Sequence, residues 1–426
     1  MAEIISQSGD EITIQFKVKL RGSMLDMEQA IQNGVNEAGC AATKEALTKF
    51  DTTGSPIQIG SVKMTSKGKV TKEYETPYGT VELARHVYQT SEGGKVFCPL
   101  DDKARIVIHS TPKFAKMITY KYASLSAKDV SSDLEENHSR HVARGFIQKI
   151  ADYVGSIVEG TEEQWDYELP EQKDQVKIII VSLDGTCILM KKEGYREAMT
   201  GNIVLYNADG ERLHTIYIGA APEYGKKLFL KRLQNEVDKI KKKYPKAKYI
   251  GIADGAAVNW SFLEANTDHQ ILDFYHAAEY LAGASYAFAT TEAERKDWLR
   301  DACHKLKHEK SGAINILKEM NNEISAKKIT KAVKKELSAA IKYFGNQLKR
   351  MNYSEYRQKN FPIGSGVTEA ACKTLIKQRL CKSAMQWKAQ GAKIVISLRA
   401  LVQTAGRWTQ FWEMINQQGL CAYVTA

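Results

Sequence analysis

Two aspartates follow apolar runs that predict buried strands, and carboxylates in such places can bind a metal ion. Asp184 follows residues 176–183, and Asp254 follows residues 248–253. Ligands of an open α/β sheet collect outside the carboxyl ends of its strands, and Asp is a hard oxygen donor, so we expect the two carboxylates to meet at a Mg²⁺ site. Each aspartate precedes glycine, however, and Asp-Gly is also the commonest hairpin signal; the pair at 209–210 is interpreted as such a turn.

A third acid, Glu369, lies in the first turn of a helix predicted to run to residue 380. The helix dipole stabilises a carboxylate there, which would explain the residue without any function. Lys373 and Lys377 follow at four-residue intervals, so the three side chains share one helical face. That arrangement suits a metal ligand beside phosphate-binding lysines.

Three grouped carboxylates would suit phosphodiester chemistry. Two Mg²⁺ ions about 4 Å apart can activate water or a 3′-hydroxyl on one side of a phosphate and stabilise the leaving oxygen on the other. This reaction needs no side-chain nucleophile, and the sequence has no Gly-x-Ser-x-Gly elbow. A Gly-x-x-x-x-Gly-Lys-Ser/Thr loop is also absent from the sequence, so we expect no nucleotide cofactor.

Asp273 and His276 form a further polar pair at the end of a strand predicted over residues 270–275. Both side chains could reach the cleft that holds the acids. Alternatively, they cap a helix that starts near Ala277, and the residues alone favour this second interpretation.

The net charge of +11 is concentrated in the last third of the chain. Residues 1–276 contain 36 Lys/Arg and 38 Asp/Glu, whereas residues 277–426 contain 25 and 12. This excess predicts a polyanion-binding surface, although a solvated helical face would have a similar composition. Trp387, Trp408 and Trp412 could stack on bases there, but core packing is the favoured interpretation.

Composition also excludes several classes of protein. The seven cysteines include no Cys-x-x-Cys pair, which predicts reduced thiols and neither a disulfide framework nor a zinc ribbon. No apolar run approaches the roughly 18 residues of a membrane span, and residues 1–7 lack the basic and apolar segments of an export signal. We therefore expect an intracellular, cytoplasmic protein with no membrane partner.

The order of predicted elements after residue 172 is typical of a ribonuclease-H-like α/β core. The predicted strands are 176–183, 203–207, 213–219, 248–253 and 270–275. A helix over residues 223–243, with a core stripe of Leu228, Leu230, Leu233 and Val237, precedes the fourth strand, and a short helix precedes the fifth. Three hairpin-connected strands followed by two parallel strands give the ribonuclease-H-like order.

Seven segments are predicted along the chain. They are an N-terminal helical lead-in (1–50), a small β-rich module (51–120), a helical region with helix-turn-helix spacing (121–160), the first part of the core (172–276), an all-α insertion (277–361), the second part of the core (362–400) and a C-terminal helical tail (401–426). In the third segment, Ser139 is predicted to cap a second helix. Arg140 and Arg144 on that helix could face DNA, although many helix pairs merely pack.

Five sequence blocks together resemble the DDE transposases of bacterial insertion sequences, and most of all the ISKra-type group. They are residues 183–186, 253–256, 273–277, 364–373 and 378–387. The last two blocks are the most specific. In the last block, Ala384 stands where the family would have glycine.

The resemblance implies that Asp184, Asp254 and Glu369 bind two Mg²⁺ ions, which Mn²⁺ could replace, and that a helical insertion separates Asp254 from Glu369. It implies that Asp273 and His276 match an Asp/Cys-x-x-His signature and order the active site. The implied substrate is double-stranded DNA, namely the element's ends and a target, at a bacterial nucleoid. Joining two ends implies a homodimer or larger oligomer. The predicted DNA contacts are Lys373, Lys377, Arg379, Lys382, Arg140 and Arg144.

Two other functions remain open. One is a DNA-binding protein that descends from a transposase and has lost catalysis, although such a protein would not need three carboxylates. The other is a structure-selective nuclease with a ribonuclease-H-like fold, which would cleave branched DNA without joining ends.

Overall fold

Strands and helices both contribute large parts of the structure, a computed structural model that describes residues 2–162, 166–223, 226–326, 329–364 and 366–419. The mixed α/β class predicted from the sequence is confirmed. Internal contacts divide the chain into two units. The first unit comprises Met1–Tyr167, Ser397–Val402 and Arg407–Ala426, and the second comprises Glu168–Ile396 and Gln403–Gly406.

The first unit begins with an antiparallel hairpin and a long helix. The hairpin consists of β1 (Glu3–Ser8) and β2 (Glu11–Gln15), and the helix is α1 (Met24–Thr48). Ser23 caps α1 by accepting a hydrogen bond from the backbone of Asp26, whose carboxylate accepts one back from the Ser23 backbone. This reciprocal capping box satisfies two amides that the helix cannot pair internally.

A four-stranded antiparallel sheet follows in the first unit. Its strands are β3 (Ile57–Ile59), β4 (Val62–Glu75), β5 (Thr80–Thr90) and β6 (Gly93–Phe97), in that spatial order. Alternate residues of β5 are buried, which is the pattern of a sheet with one covered face.

Helices complete the first unit. They are α2 (Pro99–Lys103), α3 (Pro112–Ser124), α4 (Ala127–His138), α5 (Arg144–Thr161) and α16 (Arg407–Gln418). The predicted cap at Ser139 is wrong: this residue ends α4 in the left-handed conformation, with φ 51°, and α5 begins at Arg144 after Ala143. Serine was predicted to start a helix because it suits N-caps, but its backbone amide instead bonds to carbonyls in the last turn of α4.

The second unit contains a five-stranded mixed sheet. Its strands are β7 (Ile178–Met190), β8 (Gly194–Tyr206), β9 (Arg212–Ala220), β10 (Lys248–Ala253) and β11 (His269–Leu272), in the spatial order β11-β10-β7-β8-β9. β7, β8 and β9 are antiparallel neighbours, whereas β10 is parallel to both β7 and β11. β7 is thus central, and its first six residues are buried, as a strand covered on both faces requires.

Helices α6 (Lys227–Lys243) and α7 (Ala257–Asn266) connect the parallel strands along the chain. The predicted core stripe of α6 is partly wrong, because Leu228 is 48% exposed and Leu230 is only partly buried. Phe229 is buried instead, together with Leu233, Val237 and Ile240. The stripe is therefore 229, 233, 237 and 240, which keeps helical spacing but begins one residue later than predicted.

Only helical elements occur in the described residues between 274 and 361. They are α8 (Phe274–Phe288), α9 (Glu292–His308), α10 (Gly312–Ala326), α11 (Lys331–Gln347), a 3-10 turn (Leu348–Arg350) and α12 (Tyr353–Gln358). The strand predicted over 270–275 ends at Leu272, because Asp273 caps α8.

A nearly continuous helical stretch follows. It consists of α13 (Gly366–Ala371), a π-helical segment (Cys372–Lys377) and α14 (Gln378–Leu380), and α15 (Ala389–Gln403) comes after it. Among the residues that the structure describes, no helix has both the length and the apolar character that crossing a bilayer requires.

A pair of neighbouring substitutions tests the observed register of α6. Phe229→Ala removes a ring that lies against β8 at Gly201, so we expect the free energy of unfolding to fall by about 3–5 kcal/mol. Leu228→Ala, the control, should cost less than about 1 kcal/mol because this side chain is half exposed. Urea denaturation of both variants measures the difference, and equal losses would contradict this register.

Candidate active site

Asp184 lies in the middle of β7, and not at a strand end as predicted. β8 pairs with β7 along its whole length, which carries β7 on to Met190. The parallel neighbour β10, by contrast, pairs with β7 only as far as Ile252 opposite Ser182. Among the described residues, β7 therefore has no strand partner on this edge at Asp184. If the register of β7 and β10 is continued, Asp254, which directly follows β10, lies opposite Asp184.

The Asp184 carboxylate has two hydrogen-bond donors. Oδ1 accepts a bond from the backbone N–H of Gly185 at 2.7 Å, and Oδ2 accepts one from the Cys372 thiol at 3.3 Å. The Cys372 sulfur also lies 3.0 Å from the hydroxyl of Thr200 on β8. The carboxylate is thereby fixed between its own strand and the π-helical segment.

The pKa of Asp184 is raised, first by burial and then by the negative charge of Asp254, although the bonds from Cys372 and Gly185 and the nearby His276 oppose this rise. Burial and the Asp184 charge also raise the pKa of the Cys372 thiol to about 12. The thiol therefore remains protonated near neutral pH and acts as a donor. Asp254 and His276 therefore both lie near enough to Asp184 to change its pKa.

Asp254 is oriented by its own loop and by α7. Its Oδ1 accepts bonds from the backbone N–H of Ala256 at 3.2 Å and from the side-chain amide of Asn259 at 3.5 Å. The same amide lies 3.4 Å from the carbonyl of Leu183, the residue before Asp184. Asn259 thus links the two aspartates.

Two side chains of α11 hold the Asp254 loop from the other side. Tyr343 donates a hydrogen bond to the Asp254 carbonyl at 2.6 Å, and Gln347 donates one to the Gly255 carbonyl at 3.1 Å. Tyr280 of α8 stacks on Tyr343, with ring centroids 3.8 Å apart. Burial and the negative charge of Asp254 raise the pKa of Tyr343, which keeps its hydroxyl protonated as a donor. These contacts span about ninety residues of sequence, so no local pattern predicted them.

Asp273 and His276 have different positions in the structure. Asp273 is 3% exposed and accepts a hydrogen bond from the Tyr275 backbone as the N-cap of α8. His276 is partly exposed, lies 3.3 Å from the Glu279 carboxylate and lowers the pKa of Asp184. Asp273 is therefore a helix cap, whereas His276 lies near enough to Asp184 to affect its pKa.

Glu369 is exposed on α13, and none of the hydrogen bonds or ion pairs of the described residues involves its carboxylate. Its helix is anchored by Thr368, which accepts a hydrogen bond from Asn202 of β8 at 3.0 Å, and by buried Cys372 one turn later. In the described ranges, no three or more His, Cys, Asp or Glu side chains are arranged so that they could hold a metal ion. The structure thus brings Asp184 and Asp254 together but does not add Glu369 to them.

Two of the predicted DNA contacts are buried. Arg379 is 2% exposed, and its guanidinium lies 5.2 Å from the ring centroid of Trp387. Arg140 is 7% exposed, donates a hydrogen bond to the Thr76 carbonyl at 3.1 Å and forms an ion pair with Glu75. This finding corrects the prediction that the two arginines lie on a DNA-facing surface, because both guanidiniums are buried and in contact with other groups of the protein.

The other predicted contacts are available to a ligand. Lys373, Lys377, Lys382 and Arg144 are exposed. Lys373 and Lys377 lie in the π-helical segment that also contains Cys372, so their positive charges are on the element that touches Asp184. A π-helical turn is rare and is often found at functional sites.

No family model matches the chain, and no curated protein matches it either. The chemistry of the site must therefore follow from its geometry. Two half-buried carboxylates lie close enough to repel each other, and neither is paired with a lysine or arginine in the described residues. Such a pair can bind a divalent cation through oxygen atoms, or share a proton.

The raised pKa of Asp184 predicts a pH-dependent effect of Asp184→Asn. The Asp184 carboxyl binds a proton more tightly in the folded protein than in the unfolded chain. Its protonation therefore stabilises the folded state fully at low pH, and this stabilisation is lost as pH rises through the pKa of the folded state. In metal-free buffer we expect the variant to be more stable than the wild type at pH 7, and by a smaller margin at pH 5. Urea denaturation at both pH values measures this, with Asp209→Asn in the exposed turn as the control. A margin that does not change with pH would contradict the expectation.

A substitution of Gly255 tests the backbone conformation of the Asp254 loop. Its φ of +116° is strained for any other residue, and an added Cβ would lie 3.1 Å from the Tyr343 ring. We expect Gly255→Ala to lower the free energy of unfolding by about 1–3 kcal/mol. Gly345→Ala, at an open position of α11, should instead raise it by up to about 1 kcal/mol. Thermal unfolding of both variants distinguishes the two, and a neutral Gly255→Ala would contradict the constraint.

Proposed function

We propose that this chain is a DNA transposase of the DDE type, which cleaves and joins DNA strands with Mg²⁺ held by Asp184, Asp254 and Glu369. The observation that carries the proposal is that Asp184, within β7, and Asp254, directly after the adjacent strand β10, lie near enough to interact electrostatically. Both acids lie where the parallel pairing of β7 and β10 ends. Ligands collect at such a place in an α/β sheet.

The strand order also supports a ribonuclease-H-like core. Three antiparallel strands in sequence, followed by two parallel strands on the other side of the first, give the order β9-β8-β7-β10-β11. In this interpretation, helices α8 to α12 form the insertion, and α13 returns the chain to the core because it packs on β7 and β8. The helical insertion then separates Asp254 from Glu369, as the resemblance to transposases implies.

The donor set of Asp184 and Asp254 fits a hard cation. Their carboxylates supply oxygen ligands, and in the described residues neither carboxylate forms an ion pair with a lysine or arginine that would compete with a bound cation. Glu369, whose carboxylate has no partner within the described residues, would supply the third acid from α13, the helix directly before Cys372. When bound, Mg²⁺ would activate the attacking oxygen and stabilise the leaving oxygen of the phosphodiester.

Other residues would have supporting roles. Cys372 and Gly185 orient the Asp184 carboxylate, while Asn259 and Tyr343 fix Asp254 and its loop. The exposed Lys373, Lys377 and Lys382 would bind backbone phosphates near the acids. The proposed substrate is double-stranded DNA, and joining two ends requires at least a dimer on that DNA.

A cleavage and joining assay tests the proposal. The substrate is a duplex that carries the terminal repeats flanking the gene, incubated with the protein and Mg²⁺ or Mn²⁺. We expect Asp184→Ala, Asp254→Ala and Glu369→Ala each to reduce cleavage more than about a hundredfold, because each removes a metal ligand. Asp209→Ala, which removes an exposed turn acid, is the control and should keep full activity. Gel electrophoresis of end-labelled DNA measures both products.

The products also separate the three candidate functions. Cleavage without strand joining would indicate a nuclease, and DNA binding without metal-dependent cleavage would indicate a non-catalytic binder. Full cleavage by any of the three alanine variants would show that the triad is wrong. Circular dichroism of each variant excludes loss of the fold as the cause of inactivity.

A further inference from the structure

A groove of about 570 Å³ lies in the first unit, between α3, the end of α4 and the start of α16. Its volume is within the range of about 300–1,000 Å³ that is common for ligand sites. The side chains that matter to its chemistry are Lys113, Lys116, Tyr120, Lys121, His138 and Trp408. None of these belongs to the candidate active site, which lies in the second unit.

The floor of this groove is aromatic and held in place. Tyr120 is 52% exposed, and its ring centroid lies 5.7 Å from that of Trp408. Trp408 in turn contacts the buried rings of Phe411 and Trp412, with centroids 6.1 Å and 5.8 Å away. A platform fixed from behind can stack on a flat ligand without a large loss of side-chain entropy.

The wall of the groove is cationic. Neither Lys113 nor Lys116 forms an ion pair in the described residues, whereas Lys121 is paired with Asp133 at 2.5 Å. The pKa of Lys116 is lowered by burial and then by the positive charge of Lys113, and the opposing effect of Glu413 is the smallest of the three. No carboxylate lines the groove in the described part of the chain. Two unpaired lysines beside an apolar floor favour an anionic ligand.

We infer that this groove binds an unpaired DNA base, which stacks on Tyr120 and Trp408 while Lys113 and Lys116 contact the flanking phosphates. Stacking of bases on aromatic side chains beside a positively charged track is how proteins bind single-stranded nucleic acid. A base within a duplex is already stacked on its neighbours, so only an unpaired base can enter. An apolar protein segment fits less well, because it would bury the two lysines without a counter-charge.

The inference is independent of the proposed catalysis. Binding can be measured in EDTA, where no metal-dependent cleavage occurs, and Asp209→Ala, which removes an exposed turn acid of the second unit, should bind as the wild type does. A negative result in the transposase assay would therefore not contradict base binding in this groove. Equally, a negative result in the binding assay would not contradict the proposed catalysis.

Fluorescence anisotropy tests the inference with the full chain, a labelled 12-nucleotide single strand and a duplex of the same sequence. We expect Trp408→Ala to weaken single-strand binding by about tenfold and to leave duplex binding nearly unchanged. Trp408→Phe, which keeps a stacking ring, should restore most of the affinity. The double variant Lys113→Gln/Lys116→Gln should weaken single-strand binding and reduce its dependence on salt. Lys128→Gln, at an exposed position of α4, is the charge control.

A second readout does not depend on any variant. A single strand that contains 5-iodouracil should crosslink under ultraviolet light to Tyr120 or Trp408 of the wild type, as identified by mass spectrometry. Circular dichroism checks that each variant is folded.

Three results would overturn the inference. The first is unchanged single-strand affinity in both Trp408→Ala and the double lysine variant. The second is an equal loss for single strand and duplex, which would indicate a backbone-only site. The third is a loss of self-association in sedimentation with DNA binding intact, which would make the groove a protein-docking face.

Discussion

The parallel pairing of β7 with β10 is the constraint on which the second unit depends. Both strands are buried, and their hydrogen bonds stop at Ser182 and Ile252. The strands hold Asp184 and Asp254 near each other, although two like charges in a half-buried place oppose the folded state. The surrounding residues offset this cost with directed hydrogen bonds, from Cys372 and Gly185 on one side and from Asn259 and Ala256 on the other. The sheet thus orders the site, while repulsion between the two carboxylates lowers the stability of the folded state. Such a loss of stability is common where function requires a particular arrangement.

Much of this core could be predicted from the sequence, because the relevant signals are local. β10 was predicted with its observed limits, Lys248–Ala253, since a short apolar run ends there in Asp-Gly. β7 was predicted to end at 183, but it continues to Met190 because β8 pairs with it throughout, and that partner lies outside any local window. In α6, Leu233 and Val237 were predicted correctly, but Leu228 and Leu230 were predicted in place of Phe229, because all three of these neighbours are apolar. Only packing against β8 and β9 decides which of them is buried.

The site was predictable in residue type but not in its contacts. Asp184 and Asp254 could be found because each directly follows a run of buried apolar residues, whereas Tyr343 and Gln347 resemble any polar residue of an amphipathic helix. Charge alone misplaced Arg140 and Arg379, since a guanidinium can be buried against an aromatic ring and a carbonyl as readily as it can face a phosphate. Glu369 has the residue type and the helix position that the proposed triad would need, but the folded chain gives its carboxylate no partner in the described ranges.

The two hydrogen bonds from α11 to the Asp254 loop limit which substitutions this chain can accept. Helices between a strand and a returning core helix often behave as exchangeable modules, free to lengthen, shorten or be replaced. Here Tyr343 and Gln347 bond to the backbone of the loop itself, and Gly255 leaves room for the Tyr343 ring. A descendant that exchanged these helices would keep its sheet but release the loop. Tyr343, Gln347 and the Asp254 loop are therefore structurally coupled, so a substitution in one is constrained by the other two.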